Sequence, residues 1–282
     1  MNTKIKAFYF LFVCVYNLNF SEIMPKRKIK KSYRQVTGAL SSRKNSRLIS
    51  SESTLERDLY ILLDFDPLVE SFEEQPEIIP YNLADGRLSR YTPDCLINLA
   101  PKPAFIWQYS PFRLFFRSYH EGSGRSLNQS TAGANKLKGL TPKNSRRTPK
   151  AIMVEVKYRQ DLLDNWKELK PKFKAARIFS RERSWEFRVL TEKEIRTPLL
   201  NNIKFIRPFR RYNFAPEEMM KVLNRLAELE SCKLIELLNS LTEKLTEQGH
   251  LLPIIWHLVG RHEIEINWSN PITMNSNIRS LV

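Results

Sequence analysis

The run Met153-Val154-Glu155-Val156-Lys157 constrains this 282-residue chain more than any other stretch of its sequence. Side chains alternate along a strand, so Glu155 and Lys157 would share one face while the two valines occupy the other. A buried carboxylate or ammonium costs on the order of several kcal/mol unless it finds an opposite charge or a metal. The run therefore predicts a buried strand whose charged face is either an ion pair or part of a site.

A second acid upstream supplies what such a site would need. Asp94 immediately precedes the apolar run Cys95-Leu96-Ile97, which predicts another strand. If the two strands are neighbours, Asp94 and Glu155 provide the oxygen ligands that Mg²⁺ prefers, with Mn²⁺ as a substitute. Lys157 could then orient or deprotonate the water that attacks a phosphodiester. Glu56, in the first turn of a predicted helix, would be a third metal ligand and completes the predicted catalytic set of a nuclease.

Each of these residues also has a plainer interpretation. Glu56 completes the capping-box pattern that Ser53 begins. Asp94 could bond a neighbouring turn, and Glu155 with Lys157 could form a structural ion pair. An Asp followed at a distance by Glu-x-Lys occurs often by chance. The pattern gains weight here because it lies on an apolar strand that a basic helix follows.

The charge of the chain indicates a polyanionic partner. Its formal net charge is +16 and its pI is near 9.8, which is typical of proteins that bind nucleic acid. An acidic block at 51–100 separates two basic blocks, 1–50 and 101–150. A divalent cation would suit the acidic block, although charge alone fits a solvated acidic helix better. The predicted DNA contacts lie in the N-terminal arm and on the basic helix: Lys26, Arg27, Lys28, Lys30, Lys31, Lys167, Lys174 and Arg177.

The N-terminus has some features of a signal peptide and lacks others. Lys4 and Lys6 precede an apolar run at 7–16, as in a signal peptide. The run lacks a small-x-small cleavage site, is too short to cross a bilayer and is followed by a basic block that opposes export. We interpret 1–23 as an over-called extension before a start at Met24, with a true signal or anchor as the alternative. Residues 24–50 are predicted to be a basic flexible arm that touches phosphates, or a tail without a role.

Cysteine usage favours a cytoplasmic protein. Cys14, Cys95 and Cys232 are far apart in the sequence and form no C-x-x-C pair. They fit neither a disulfide framework nor a zinc site. A reducing compartment is the simplest setting for such a chain.

The order of predicted elements describes a small mixed α/β domain at 51–212. A helix begins at Ser53 and stops at Asp66-Pro67, and Asp85-Gly86 marks a hairpin. The Glu-x-Lys strand is followed by a helix over about 161–180, predicted to break or kink near Pro171. The Gly-, Ser- and Asn-rich tract at 101–150 separates the two acid-bearing strands, and we interpret it as an insertion on this core.

The last part of the chain, 213–282, has a different pattern. Two amphipathic helical periods precede a third, apolar helix at 251–259 and a strand pair, an order typical of a winged-helix module. The third helix carries Trp256 and His257 but few basic residues. A DNA-recognition helix would carry more, so we expect this domain to dock a protein partner.

Several motifs resemble the TnsA endonuclease of heteromeric DNA transposases, in the order that the family has them. They are Leu62-Leu63-Asp64-Phe65-Asp66-Pro67, Phe72-Glu73-Glu74-Gln75-Pro76, Tyr91-Thr92-Pro93-Asp94, Val154-Glu155-Val156-Lys157-Tyr158-Arg159 and Leu190-Thr191-Glu192-Lys193-Glu194-Ile195-Arg196, with Ser53 to Glu56 before them. The resemblance covers about 25–100 and 151–282. By position, Glu56, Asp94 and Lys157 match the family's catalytic residues, and Glu155 matches its metal-binding Gln/Glu position.

The resemblance implies a fold and a reaction. The expected fold is an α/β restriction-endonuclease-like core, with a mixed sheet flanked by helices, and a C-terminal all-α/winged-helix domain. TnsA-like proteins cut the 5′ ends of the transposon, the integrase-type transposase TnsB cuts and joins the 3′ ends, and the AAA+ regulator TnsC contacts the C-terminal part of TnsA. The apolar N-terminus and the long 101–150 tract depart from the family pattern. A stand-alone restriction-type or junction-resolving nuclease is the alternative, and a catalytically idle DNA-binding scaffold is a third hypothesis.

Overall fold

The computed structural model describes residues 38–83, 85–100 and 149–281. Outside these ranges lie the predicted extension at 1–23, most of the predicted arm and nearly all of the predicted insertion. Five of the predicted DNA contacts also lie outside them, namely Lys26, Arg27, Lys28, Lys30 and Lys31. None of the helices in the described ranges combines the length and the apolar character needed to span a bilayer.

The described residues form strands and helices in alternating groups. The strands are β1 (Gly38–Ser41), β2 (Leu48–Ser51), β3 (Val69–Glu74), β4 (Ile79–Asn82), β5 (Leu88–Tyr91), β6 (Cys95–Leu99), β7 (Ala151–Val156), β8 (Glu186–Leu190), β9 (Ser231–Lys233), β10 (Ile264–Ile266) and β11 (Asn277–Ser280). The helices are α1 (Thr54–Phe65), α2 (Arg159–Asp164), α3 (Trp166–Glu182), α4 (Glu192–Ile195), α5 (Pro198–Ile206), α6 (Pro216–Leu229), α7 (Leu234–Leu241) and α8 (Leu245–Gly260). A 3₁₀ helix, Arg207–Arg211, follows α5.

A four-stranded mixed sheet forms the centre of the first part of the chain. Its order is β3-β6-β7-β8, with β6 antiparallel to both neighbours and β7 parallel to β8. All six residues of β7 are buried because helices cover both faces. Cys95 and Val154 face the cluster that contains α1, while Met153 packs on the other side with Ala176 of α3. The predicted mixed sheet flanked by helices is confirmed.

Helix α1 begins and ends where the sequence predicts. The Ser53 hydroxyl accepts a hydrogen bond from the Glu56 amide at 3.1 Å, which satisfies one free donor of the first turn. The helix ends at Phe65, and Asp66 is its extended C-cap residue before Pro67. Ten of its twelve residues are buried, so α1 is the central helix of the fold rather than a surface one.

The helix after β7 breaks at a different place from the one predicted. The chain breaks at Asn165, between α2 and α3, and α3 continues through Pro171. Pro171 removes a donor that would bond the carbonyl of Lys167, one turn earlier. Because Lys167 lies exposed, water can satisfy that carbonyl instead. The helix therefore does not break at Pro171, and the alternative prediction of a kink there stays a prediction.

Residues 38–51 also differ from the prediction, which placed 24–50 in a flexible arm. Strands β1 and β2 form an antiparallel hairpin in which Leu40 pairs with Ile49. Both side chains are buried in the same core as α1. Two buried side chains hold the hairpin, and the surrounding Ser, Arg and Asn residues hid this short apolar pattern. The hairpin that Asp85-Gly86 predicts is confirmed, since β4 and β5 are antiparallel and Gly86 has a φ of 84°.

The last part of the chain contains α6, α7 and α8 together with a small antiparallel sheet of order β10-β11-β9. The third helix begins six residues earlier than predicted, at Leu245. The core of this part is continuous with that of the first part. The Phe65 ring at the end of α1 packs edge-on against the Trp268 ring, with 5.1 Å between the ring centroids. The backbone carbonyl oxygen of Phe65 lies 3.2 Å from His262 Nε2.

Candidate active site

The pairing of β6 with β7 brings Asp94, Glu155 and Lys157 together. Cys95 pairs with Val154, so the residue before β6 lies beside the end of β7. Asp94 Oδ2 accepts a hydrogen bond from the Val156 amide at 2.7 Å. Lys157 Nζ lies 2.8 Å from Glu155 Oε1 and 3.6 Å from Asp94 Oδ2. The predicted neighbouring strands are confirmed, although the two acids are 61 positions apart in the sequence.

Glu155 is held from its other side by a residue that the sequence did not single out. The Tyr91 hydroxyl, at the end of β5, donates to Glu155 Oε2 at 2.5 Å. Burial first, and then the charge of Glu155, raise the pKa of Tyr91 well above its usual value, which keeps the phenol protonated as a donor. The available signal was the position of Tyr91, three residues before Asp94 on the strand that leads to it.

The environment makes Asp94 hard to ionise. Burial, and then the charge of Glu155, raise the pKa of Asp94 to about 7 against the opposing effects of Lys157 and the Val156 amide. Burial disfavours the charged form of Lys157, but the charges of Asp94 and Glu155 outweigh it and raise the pKa of Lys157 above its usual value. Lys157 is therefore a fixed positive charge in this arrangement rather than a proton acceptor.

Glu56 lies in the first turn of α1, whose N-cap residue is Ser53. Its Oε1 accepts from the Ser53 hydroxyl at 2.9 Å and its Oε2 from the Glu52 amide at 2.9 Å. Burial and then the charge of Asp94 raise the pKa of Glu56 to about 7, so the two acids sense each other. Within the described ranges, no three His, Cys, Asp or Glu side chains stand close enough to hold an ion. The Glu56 carboxylate thus helps to cap the start of α1 through the Glu52 amide and not through the Ser53 amide of a capping box, and its predicted role as a third metal ligand stays a prediction.

The carboxylate oxygens of Asp94 and Glu155 are suitable ligands for a hard divalent cation. Mg²⁺ commonly binds one or two carboxylates and completes its octahedron with waters and substrate phosphates. Asp94 and Glu155 both approach the same Lys157 ammonium, so a positive charge already occupies the space between them. Among the described residues, these two are the ones that would hold such an ion.

Helix α3 carries the described members of the predicted DNA-contacting set. Lys167, Lys174 and Arg177 are exposed, while Leu169 and Phe173 on the opposite side are buried. The spacing of seven and then three residues places the three basic side chains on one helix face. The structure therefore presents them to solvent as a basic surface.

Two carboxylates and a lysine at adjacent strand ends of a mixed α/β sheet are typical of a nuclease. Family comparisons agree with this class. Residues 140–192 match the model described as TnsA-like endonuclease N terminal, and residues 194–268 match the one described as TnsA endonuclease C terminal. The chain belongs to the TnsA endonuclease family. No curated protein matches the chain.

Membership of this family implies a nuclease that acts on DNA with transposase partners. The N-terminal match includes Glu155 and Lys157. It begins after Glu56 and Asp94, so the roles of those two residues rest on geometry and on the motifs around them.

Proposed function

We propose that this chain is the Mg²⁺-dependent DNA endonuclease subunit of a heteromeric transposase, active in the cytoplasm. It would cut the 5′ ends of the transposon, the non-transferred strands, during cut-and-paste transposition. The observation that carries the proposal is the convergence of Asp94 and Glu155 on the ammonium of Lys157 at two adjacent strand ends. Family membership supports the reaction class.

Each residue of the site has a role that its contacts support. Asp94 and Glu155 would hold Mg²⁺, or Mn²⁺ in its place, and the bound ion would neutralise the phosphate and lower the pKa of the attacking water. Tyr91 orients Glu155, and the Val156 amide orients Asp94. Lys157 supplies a fixed positive charge beside the scissile phosphate. Glu56 would act through its charge and through the cap of α1, and as a third ligand only if its side chain turned.

DNA would run from this site across the basic face of α3. Lys167, Lys174 and Arg177 are exposed there, and contacts of this kind position a duplex without reading its sequence. The arm residues Lys26, Arg27, Lys28, Lys30 and Lys31 would add further phosphate contacts.

The C-terminal residues 213–282 would form a winged-helix domain that docks a protein, and 51–212 the catalytic domain. The order helix, strand, two helices and two strands, with the sheet order β10-β11-β9, supports the winged-helix assignment. Seven consecutive residues of α8, 254–260, are buried, so this helix is not free to enter a DNA groove. The expected partners are the AAA+ regulator TnsC for this domain and the transposase TnsB for the assembled complex.

Substitution of Asp94 tests the proposal directly. Asp94→Asn keeps an acceptor for the Val156 amide and removes the charge. We expect 5′-strand cutting of transposon-end DNA, assayed with the partner proteins and Mg²⁺, to fall roughly a hundredfold or more. The matched control is Glu168→Gln, which removes an exposed carboxylate on α3. Normal 5′-strand cutting by Asp94→Asn would show that the nuclease assignment is wrong.

The same assay separates the alternatives. Metal-dependent cutting by the purified chain without partners would favour a stand-alone nuclease. DNA binding without cutting, even in the complete complex, would favour an idle scaffold.

A further inference from the structure

Five basic side chains from two distant segments meet at the C-terminal end of α1. Arg43 and Lys44 come from the turn between β1 and β2, and Arg207, Arg210 and Arg211 come from the 3₁₀ helix. Arg43 Nη1 donates to the Arg210 carbonyl at 3.1 Å, and Arg207 Nη2 donates to the Ser41 carbonyl at 2.8 Å. Lys44 Nζ already donates to the Asp66 and Val69 carbonyls, so we call the four arginines alone the basic cluster.

The acids near the basic cluster are already engaged with the backbone. Asp64 Oδ1 accepts from the Ser42 hydroxyl at 2.9 Å and from the Arg43 amide at 2.7 Å, and only its Oδ2 faces Arg207, at 3.9 Å. Asp66 Oδ1 accepts from the Leu68 amide at 2.7 Å. These carboxylates hold turns, so they compensate the positive charge of the cluster only in part.

Arg210 shows most clearly that the cluster lacks hydrogen-bond acceptors. Its Nε and Nη1 are buried and have no hydrogen-bond partner among the described residues. Its guanidinium lies 4.9 Å above the Phe65 ring, and a Cβ at Gly260 would stand 2.7 Å from its Cγ, so the side chain fills a space left for it. Burial, then the charges of Arg43 and Arg207, lower the pKa of Arg210. Donors buried without partners destabilise a protein, so each calls for an explanation, and a bound water or ion is one of them.

We propose that the basic cluster is a second phosphate-binding site, which holds the DNA backbone away from the scissile bond. This proposal rests on the proposed function in taking DNA as the ligand. Glu56 and Asp64 are eight residues apart on α1, about 12 Å along its axis, so the cluster is separate from the active site. An acidic protein segment would offer similar acceptors. DNA is favoured because the chain carries a net charge of +16 and belongs to a family of DNA endonucleases.

Duplex binding in EDTA tests the cluster without any cleavage. The double variant Arg43→Gln/Arg211→Gln changes two exposed side chains, and its control Lys221→Gln/Lys244→Gln removes the same charge from an exposed surface of the C-terminal part. For a 30-bp duplex of arbitrary sequence, we expect the cluster variant to bind on the order of tenfold more weakly at low salt. The slope of log K against log[salt] should fall by about one to two units, and the control should retain most of its slope. Equal affinity and slope in the two variants would overturn the proposal.

A second variant separates a ligand site from a structural role. Arg210→Met keeps a long apolar stem over Phe65 and beside Gly260 but removes the buried, unpartnered donors. We expect its melting temperature without DNA to rise while its DNA affinity falls. A lower melting temperature with unchanged DNA affinity would show that Arg210 only supports the fold.

Two further outcomes keep this inference distinct from the proposed function. If the Arg43→Gln/Arg211→Gln variant binds DNA as the control does but no longer associates with partner proteins, the ligand is an acidic protein surface and the proposal is wrong. If Asp94→Asn cuts DNA normally while the salt dependence of DNA binding by the Arg43→Gln/Arg211→Gln variant falls as expected, the nuclease assignment fails and the phosphate site stands.

Discussion

At the scale of single residues, the candidate site depends on one lysine between two acids. Lys157 compensates Asp94 and Glu155, which would otherwise stand buried and repel each other. The strand alternation that placed Glu155 and Lys157 on one face was sufficient to predict this pair. Tyr91 was not predictable in the same way, because its contact with Glu155 depends on how β5 lies beside the sheet.

The raised pKa values predict a specific dependence of stability on pH. In the folded protein Asp94 and Glu56 titrate near 7, against ordinary values of 3.8 and 4.5. Between about pH 4 and 7 the folded state therefore binds more protons than the unfolded state, so these two groups lower the free energy of unfolding as pH rises. We expect Asp94→Asn to be more stable than the wild-type protein above pH 7, by about 1–3 kcal/mol in EDTA, and to lose this advantage near pH 4. Urea denaturation across this range measures the difference, and a gap that does not change with pH would contradict it.

Loss of the Tyr91 hydroxyl should weaken metal binding and leave the fold intact. Tyr91→Phe keeps the ring in place but frees Glu155 Oε2. Groups that orient a metal ligand are typically worth about 10- to 100-fold in metal affinity or activity, and we expect a loss in that range. Titration of cutting against Mg²⁺ or Mn²⁺ concentration measures it. Tyr81→Phe, a buried tyrosine on the paired strand β4, is the control, and equal metal dependence in the two variants would count against a positioning role.

At the scale of elements, α1 connects the two functional regions. Its N-terminal cap includes Glu56, and its C-terminal end packs against Arg210 of the basic cluster. The bounds of α1 could be predicted because Ser53 and Asp66-Pro67 are local signals. The continuation of α3 through Pro171 and the β1–β2 hairpin could not, because the first depends on the solvation of one carbonyl and the second on burial against α1.

The cap at Ser53 should carry measurable stability. The Ser53 hydroxyl bonds both the amide and the carboxyl of Glu56. We expect Ser53→Ala to cost about 1 kcal/mol of unfolding free energy. Thr197 occupies the same position in α5 without a side-chain bond to the helix, so Thr197→Ala should cost much less. Chemical denaturation of both variants checks this, and equal losses would mean that the Ser53 bonds contribute nothing specific.

At the scale of the whole molecule, the long tract between the acid-bearing strands does not disturb their pairing. Asn98 pairs with Ala151 at the end of β6 and β7 that lies away from Asp94. The described residues stop at Ala100 and resume at Pro149. The entropic cost of closing a loop grows only slowly with its length, so a long connection is compatible with this pairing. The sequence alone left open whether the strands met across it, because register depends on packing against both layers of helices.

Shortening the tract should therefore preserve the site. Replacement of residues 101–148 by four Gly and Ser residues leaves an antiparallel hairpin with the same register. We expect metal-dependent cutting to change little, and DNA binding to weaken because the tract at 101–150 is strongly basic. Cutting assays and duplex binding of the shortened protein test this. A folded but inactive product would mean that the tract takes part in catalysis.

The end of β6 and β7 that the 101–148 tract connects also offers a site for attaching a probe. It lies about four residues, or roughly 13 Å, along β6 from the catalytic end. Of the two cysteines in the described ranges, Cys95 is buried and burial raises the pKa of its thiol, so it would react slowly with a maleimide dye. With Cys14 and Cys232 replaced by serine, one cysteine in the shortened tract would carry a single fluorophore. Energy transfer to labelled transposon ends would then follow assembly of the complex in real time without touching the catalytic residues.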